Sequence, residues 1–400
     1  MDLYLLDWVN FLLRWAHVIV AISWIGASFY FVFLDSSLVE PTDAELREKG
    51  VGGELWAVHG GGFYNPQKYL GAPRQLPEHL HWFYWESYST FLTGFALFAA
   101  IYLFQANTFL VDPRVHAWTP AAAVPVALAF LVVFWLGYDA VCRLFDQGNQ
   151  AVAGALVAAL VVLASWLACD LFAGRAAFVL VGAMMGTTMS ANVFFWIIPG
   201  QRKVIAQMKA GQPVDPAHGR RAKQRSVHNT WFTLPVLAAM LSNHYAFLHA
   251  ATGNWIVLVG VMAAGALIRT SFVARHRALV LGKRVPWEYA GLGCALLVGL
   301  AVWLAPAPVA TKASAPAAPS FAQVQAIVKE RCSLCHNAQL ANKGVRLDAP
   351  DQILAHAAQM YQQAVVLKAM PLNNATQITD AERAVLKQWY EAGARGLASP

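Results

Sequence analysis

Eight apolar runs organise this sequence, at roughly 10–33, 82–104, 119–138, 151–172, 176–199, 229–249, 254–274 and 287–305. About 20 apolar residues in helical conformation span a bilayer's hydrocarbon core, and in lipid only helices and closed barrels satisfy every backbone amide. Apolar residues make up 58% of the 400 and charged ones only 13%, which excludes a soluble protein of this size. The expected fold class is therefore all-α, a polytopic eight-helix transmembrane bundle whose partner is the lipid bilayer. The N-terminus, M-D-L-Y-L-L-D, has no basic segment and no small-residue cleavage site after its first apolar run. The first helix is expected to stay in the mature protein.

Charge gives the direction of the spans. With the N-terminus outside, the loops facing the cytoplasm hold 16 Lys and Arg residues, against Arg114 and Arg175 in the outer ones. The positive-inside rule then puts both ends of the eight-span part outside. The net charge of +7 comes from these loops rather than from one basic face, so no nucleic-acid partner is expected. The expected location is a bacterial inner membrane, multi-pass, with N- and C-termini periplasmic.

Three parts follow: a membrane domain over 1–304, a linker over 305–320, and a small periplasmic domain over 321–400. The linker, A-P-A-P-V-A-T-K-A-S-A-P-A-A-P-S, is too rich in Pro and Ala to bury a core. At about 3 Å per residue it reaches roughly 50 Å. In the last part, Cys332-Ser333-Leu334-Cys335-His336 has the spacing for covalent haem c. Two thiols add to the haem vinyl groups while the adjacent His reaches the iron. Zinc would require two more soft ligands, and the tail holds no other Cys. An amphipathic helix before the motif and a second one carrying Trp389 and Tyr390 suit a small α-helical, class I-like cytochrome c domain. Met370, in A-M-P-L-N-N, is the expected sixth ligand. Met360 and His356 compete, but they lie in a stretch that reads as helix, where a Met is usually core.

Ionisable groups within spans are costly, which makes them candidates for function. His17 in the first span and His244 at the end of the sixth fall at similar depth in the outer half. They could ligate a haem b, one or more of which would pass electrons outward, or they are hydrogen-bonded core histidines. A second group gathers in the cytoplasmic half: His81 and Glu86 at the start of the second span and His228 at the start of the sixth. His81 and Glu86 are expected about 140° apart on one helix, bordering one cavity. The loop His59-Gly60-Gly61-Gly62 resembles an esterase oxyanion element, yet the chain has no G-x-S-x-G elbow, which rejects a hydrolase. The glycines read instead as permitting close backbone approach to a ligand. Asn192, among small residues of the fifth span, is a candidate hydrogen-bonding group.

Long motifs carry a resemblance. R-W-A-H-V-I-V-A-I-S-W-I-G-A-S-F-Y-F, H-G-G-G-F-Y-N-P-Q-K-Y, P-E-H-L-H-W-F-Y-W-E-S-Y, R-A-K-Q-R-S-V-H-N-T-W-F-T-L-P-V-L and S-N-H-Y resemble the membrane-bound urate hydroxylase (urate oxidase) family, PuuD, with its fused C-terminal cytochrome c. The resemblance implies oxidation of urate to 5-hydroxyisourate in purine degradation. Electrons would go to haem c and then to a respiratory acceptor, a soluble cytochrome c or a terminal oxidase, without hydrogen peroxide. His81, Glu86 and His228 would then do the proton work, with His59, Arg74 and Asn192 as substrate contacts. The spacing of His17 and Trp24 is also similar to the first helix of HemJ-type haem b membrane proteins. Two other functions fit the bare residues: a non-catalytic haem electron-transfer subunit, and a purine transporter with a regulatory cytochrome domain.

Overall fold

The computed structural model describes residues 2–69, 71, 73, 76–305 and 319–394, and it is mostly helical. Residues 306–318, most of the expected linker, lie outside the described residues.

Helix α1 (Asp2–Ser37) opens the chain, and α2 (Trp85–Phe98) continues through a π turn over Ala99–Leu103. A four-residue helix, α3 (Ala106–Phe109), precedes α4 (Pro120–Leu144) and α5 (Gln150–Leu171). Next come α6 (Gly174–Ala191), a π segment over Asn192–Ile197, and α7 (Ile198–Lys209). Helices α8 (Pro216–Leu241), α9 (Asn254–Val280) and α10 (Glu288–Trp303) complete this part. Helix starts follow local chemistry. Thr119, Asn149 and Asp215 accept backbone N–H groups at the first turns of α4, α5 and α8. Proline stands at the first position of α4 and α8, where its missing N–H is harmless.

Five helical stretches are long and apolar enough to cross a membrane: Trp8–Ser37, Pro120–Leu144, Gln150–Leu171, Gly174–Lys209 and Asn254–Val280. The other three expected spans also meet helix, but in shorter or more polar form. Residues 82–84 form a turn, so α2 begins later than its apolar run. Helix α8 starts well before its run because Asp215 and Pro216 launch a basic first half. It then stops at Leu241, before a short 3-10 turn over Ser242–His244. Helix α10 is apolar but only 16 residues long.

Helix α6 is the centre of the bundle, packed against α2, α4, α5 and α8. Its Leu180, Val181, Met184 and Met185 are fully enclosed. Helix α1 is the opposite case, with Leu5, Trp8, Phe11, Trp15 and Ile22 exposed. A helix apolar on every side with its outer face unburied is suited to lipid.

Between α1 and α2, β1 (Val51–Glu54) pairs antiparallel with β4 (Gln67–Tyr69). Inside that pair, β2 (Ala57–His59) and β3 (Gly62–Tyr64) make a hairpin in which His59 faces Gly62. Gly60 and Gly61 have φ of 58° and 81°, which explains the glycines as turn formers. No described protein atom approaches within 4 Å of where their side chains would start.

The C-terminal residues build a separate core. Helix α11 (Phe321–Arg331) and helix α12 (Asp380–Glu391) each begin with a capping box, Ser320 with Gln323 and Thr379 with Glu382. Phe321, Val324, Val328, Ile353, Leu386 and Trp389 fill the space between them. Met360 is buried in this core, as its helical setting predicts, while Met370 is only half-buried at its edge.

Candidate functional site

The densest buried polar group lies where α4, α8 and the π segment meet. Arg225, His228 and Asn229 follow helical spacing on α8 and face inward together. Tyr138, Asp139 and Cys142 come from α4. Asn192 and Trp196 come from the π segment, whose widened turn shifts their register relative to α6.

Two linked networks result. Asn192 donates from Nδ2 to the Tyr138 hydroxyl at 2.9 Å and to Asn229 Oδ1 at 2.9 Å. Tyr138 lies 3.0 Å from His228 Nδ1, and Cys142 Sγ is 3.5 Å from the same nitrogen. Because Asn192 fills an acceptor site on the Tyr138 oxygen, the hydroxyl proton is free to be donated to His228. That arrangement assigns the His228 proton to Nε2. In the second network three donors converge on the buried Asp139 carboxylate. They are Arg225 Nη2 at 2.7 Å, Trp196 Nε1 at 2.7 Å and Arg143 Nε at 2.6 Å. The Arg143 and Arg225 guanidinium groups also approach the Trp196 ring, at 5.0 and 4.9 Å from its centroid.

The cluster is not closed. Arg225 is 1% exposed, yet among the described residues its Nε and Nη1 have no hydrogen-bond partner, and Asn192 Oδ1 has none either. Unpaired buried groups of this kind cost about 1–3 kcal/mol each, more when charged. Beside Arg225 is a cavity of about 220 Å³ lined by Cys142, Arg143, Asp146, Trp196, Arg221 and Arg225. Arg221 and Arg225 give this cavity cationic donors, Asp146 and Gln224 polar groups and Trp196 an indole wall, a lining suited to a flat, polar molecule; Asn192 does not border it.

The structure thus joins His228 and Asn192, both expected from sequence, and leaves the other expected residues elsewhere. His59 is exposed on the β2–β3 hairpin. Arg74 lies outside the described residues. His81 is exposed in the turn before α2, its ring against Phe83 at 4.6 Å. It is therefore not on the helix that carries Glu86, and the angular relation expected between them does not exist. Glu86 is half-buried in the first turn of α2, with no hydrogen bond to its carboxylate among the described residues. His17 rests on α2, 3.1 Å from Thr93 Oγ1 and directly over Gly94. His244 is exposed on its 3-10 turn. No hydrogen bond or ring contact joins His17 and His244 among the described residues.

Sequence reasoning missed Tyr138, Asp139 and Trp196, and met Arg225 only within a basic run, 220–225, that could attract an anion. Arg225 reads as one more cytoplasmic charge, and Tyr138-Asp139 falls at the edge of an apolar run. The legible signal was the spacing Arg225, His228, Asn229, Phe232, a single helical face with polar residues before an apolar one.

In the C-terminal part, Cys332 and Cys335 follow α11 as free thiols, the first half-buried and the second exposed. Burial pushes the Cys332 thiol up to about 11. His336 Nδ1 lies 3.1 Å from the Val345 carbonyl, which it meets as an N–H donor. Arg383 is buried and donates from Nη1 to the Ala364 carbonyl and, at 2.9 Å, to that of Met370. Among the described residues, no group of three or more His, Cys, Asp or Glu could hold a metal ion, which leaves no zinc-type set around the two cysteines.

Neither the curated proteins nor the solved structures contain a match to this chain. A family model does match, over residues 3–305, a span that includes every helix from α1 to α10 and the whole buried polar cluster, and on that match the chain belongs to the family described as Urate oxidase, N-terminal.

Proposed function

We propose that this chain is a membrane-bound urate oxidase that converts urate to 5-hydroxyisourate, with electrons leaving through a C-terminal haem c. The observation that carries the reading is the cavity bordered by Arg225 and Trp196, with Arg225 Nε and Nη1 unpaired among the described residues, inside the family-matched region. Urate is a planar anion whose edges alternate carbonyl oxygens with N–H groups. Arg225 suits the anionic edge, and Trp196 offers an aromatic face. Of the three residues expected to do the proton work, His81, Glu86 and His228, the last takes and returns protons here, connected through Tyr138 to Asn192.

The overall change balances as urate plus water giving 5-hydroxyisourate, two protons and two electrons. The protein's residues bind the anion, exclude bulk water and manage the protons. The C-terminal residues fit a covalent haem c: both thiols are free, and the Val345 carbonyl holds His336 Nδ1 so that Nε2 remains for iron. Met370, braced by Arg383, is the sixth-ligand candidate. When bound, such a group supplies one-electron acceptance, so oxygen need not be reduced to hydrogen peroxide. The topology that goes with this reading is eight spans in a bacterial inner membrane, with the urate cluster in the cytoplasmic half and the cytochrome module outside. Electrons end on a soluble cytochrome c or a terminal oxidase.

The test is anaerobic turnover by the purified full-length chain with ferric cytochrome c as acceptor. Two cytochromes reduced per urate consumed, with 5-hydroxyisourate formed and no peroxide in air, is the expected result. Urate left unchanged under these conditions would return the chain to an electron-transfer or transport role.

A further inference from the structure

The C-terminal module does not hang free of the bundle. Asn373 is 8% exposed and sits at φ 50°, the left-handed conformation that asparagine tolerates better than most residues. That turn aims its Nδ2 at the Thr108 carbonyl, 2.7 Å away. Thr108 belongs to α3, a helix of four residues whose carbonyls have no next turn to bond, so an outside donor is welcome. Five residues after α3, Arg114 is clamped to the buried Asp112 through Nε at 2.9 Å and Nη2 at 2.6 Å. Its remaining Nη1 reaches the Lys368 carbonyl at 3.5 Å.

Both contacts land on one loop, 368–374, which carries Met370 and is braced from behind by Arg383. On the bundle side the seat continues inward through aromatic rings. Phe109 meets Tyr102 edge-on at 6.3 Å, and Tyr102 stacks on Phe98 at 5.5 Å. The Tyr102 hydroxyl and Arg175 both donate to Asn243 Oδ1, which ties this ladder to the end of α8.

We propose that residues 106–114 are a docking seat for the 368–374 loop, and that electrons leave the membrane part across this contact. Asn373 and Arg114 are positioning residues: neither touches substrate, and each fixes the approach of the loop. The electron step rests on the urate-oxidising reading; the seat itself does not. Urate would be the reductant, losing two electrons and two protons as water adds, and a haem c held by Cys332, Cys335 and His336 would accept those electrons singly and pass them to an external ferric cytochrome.

The experiment uses the full chain in membranes, with Thr108→Cys and Asn373→Cys combined and each single variant as control. A disulfide peptide joining positions 108 and 373 is expected in the double variant alone, read by mass spectrometry. Haem c in the locked protein should still be reduced by urate at a rate close to wild type. In a second variant, Arg114→Glu, that rate should fall about tenfold, which corresponds to about 1.4 kcal/mol of lost docking. Reduction by ascorbate should be unchanged. Absence of the disulfide overturns the seat. A disulfide that stops haem reduction until it is cleaved overturns the docked arrangement as the transferring one. An unchanged rate in Arg114→Glu overturns its positioning role. If the disulfide forms but urate reduces no haem even in wild type, the seat stands and the urate reading fails.

Discussion

Arg225 separates binding from folding more cleanly than any other residue in the cluster. One nitrogen, Nη2, holds Asp139, and the other two are unpaired among the described residues. Lysine at this position keeps a positive charge for Asp139 but loses the planar fork. Arg225→Lys should therefore fold and melt nearly as wild type, while urate binding weakens by about 10- to 100-fold, the worth of one or two hydrogen bonds to a charged partner. Anaerobic titration with urate, beside a melting curve, measures both; undiminished affinity would mean that the free nitrogens do not face the ligand. At this scale the sequence was readable where a polar side chain interrupts an apolar run, as with Asn192 and His228, which the structure buries in one network. It did not foretell the exposure of His59 and His81. Both stand beside conspicuous motifs, but a turn and a helix boundary put them on the surface. Glycines required by a hairpin look the same in sequence as glycines required by a ligand.

Helix contacts depend on single missing side chains. At Gly293 in α10, a Cβ would lie 2.8 Å from the Ala264 carbonyl oxygen and 2.9 Å from Ile268 Cγ1, both on α9. Backbone cannot yield as a flexible side chain does, so Gly293→Ala should force the two helices apart and cost about 1–3 kcal/mol. Gly299, on the same helix with nothing within 4 Å, is the matched control, and Gly299→Ala should melt no lower than wild type. Equal melting temperatures for the two variants would show that α10 is not packed this way. Each apolar run did coincide with helix, because hydrophobic length is written in composition. The π segment at Asn192–Ile197 was not legible, since a change from one hydrogen-bond register to another leaves the apolar pattern almost untouched. Yet that segment is what turns Asn192 toward Tyr138 and Trp196 toward Asp139.

Across the whole molecule there are two separate cores among the described residues, one in the helical bundle and one in the C-terminal residues. Orientation has its own test. Alkaline phosphatase, active only outside the cytoplasm, should be active when fused after Ser320 and inactive when fused within 210–215; the reverse pattern would invert the topology. What composition could not foretell was how the parts meet, because Asn373 and Arg114 both address main-chain carbonyls, which every residue carries. The small size of that contact has a further consequence. Two such hydrogen bonds contribute about 1–3 kcal/mol net, which for separate molecules means dissociation constants above about 1 mM. A linker with the reach expected from its sequence supplies an effective concentration near that lower bound. The released form then outnumbers the docked one, by roughly tenfold, and on the proposed electron route the module would work as a tethered shuttle, loading at the seat and unloading to a partner it could not meet while seated.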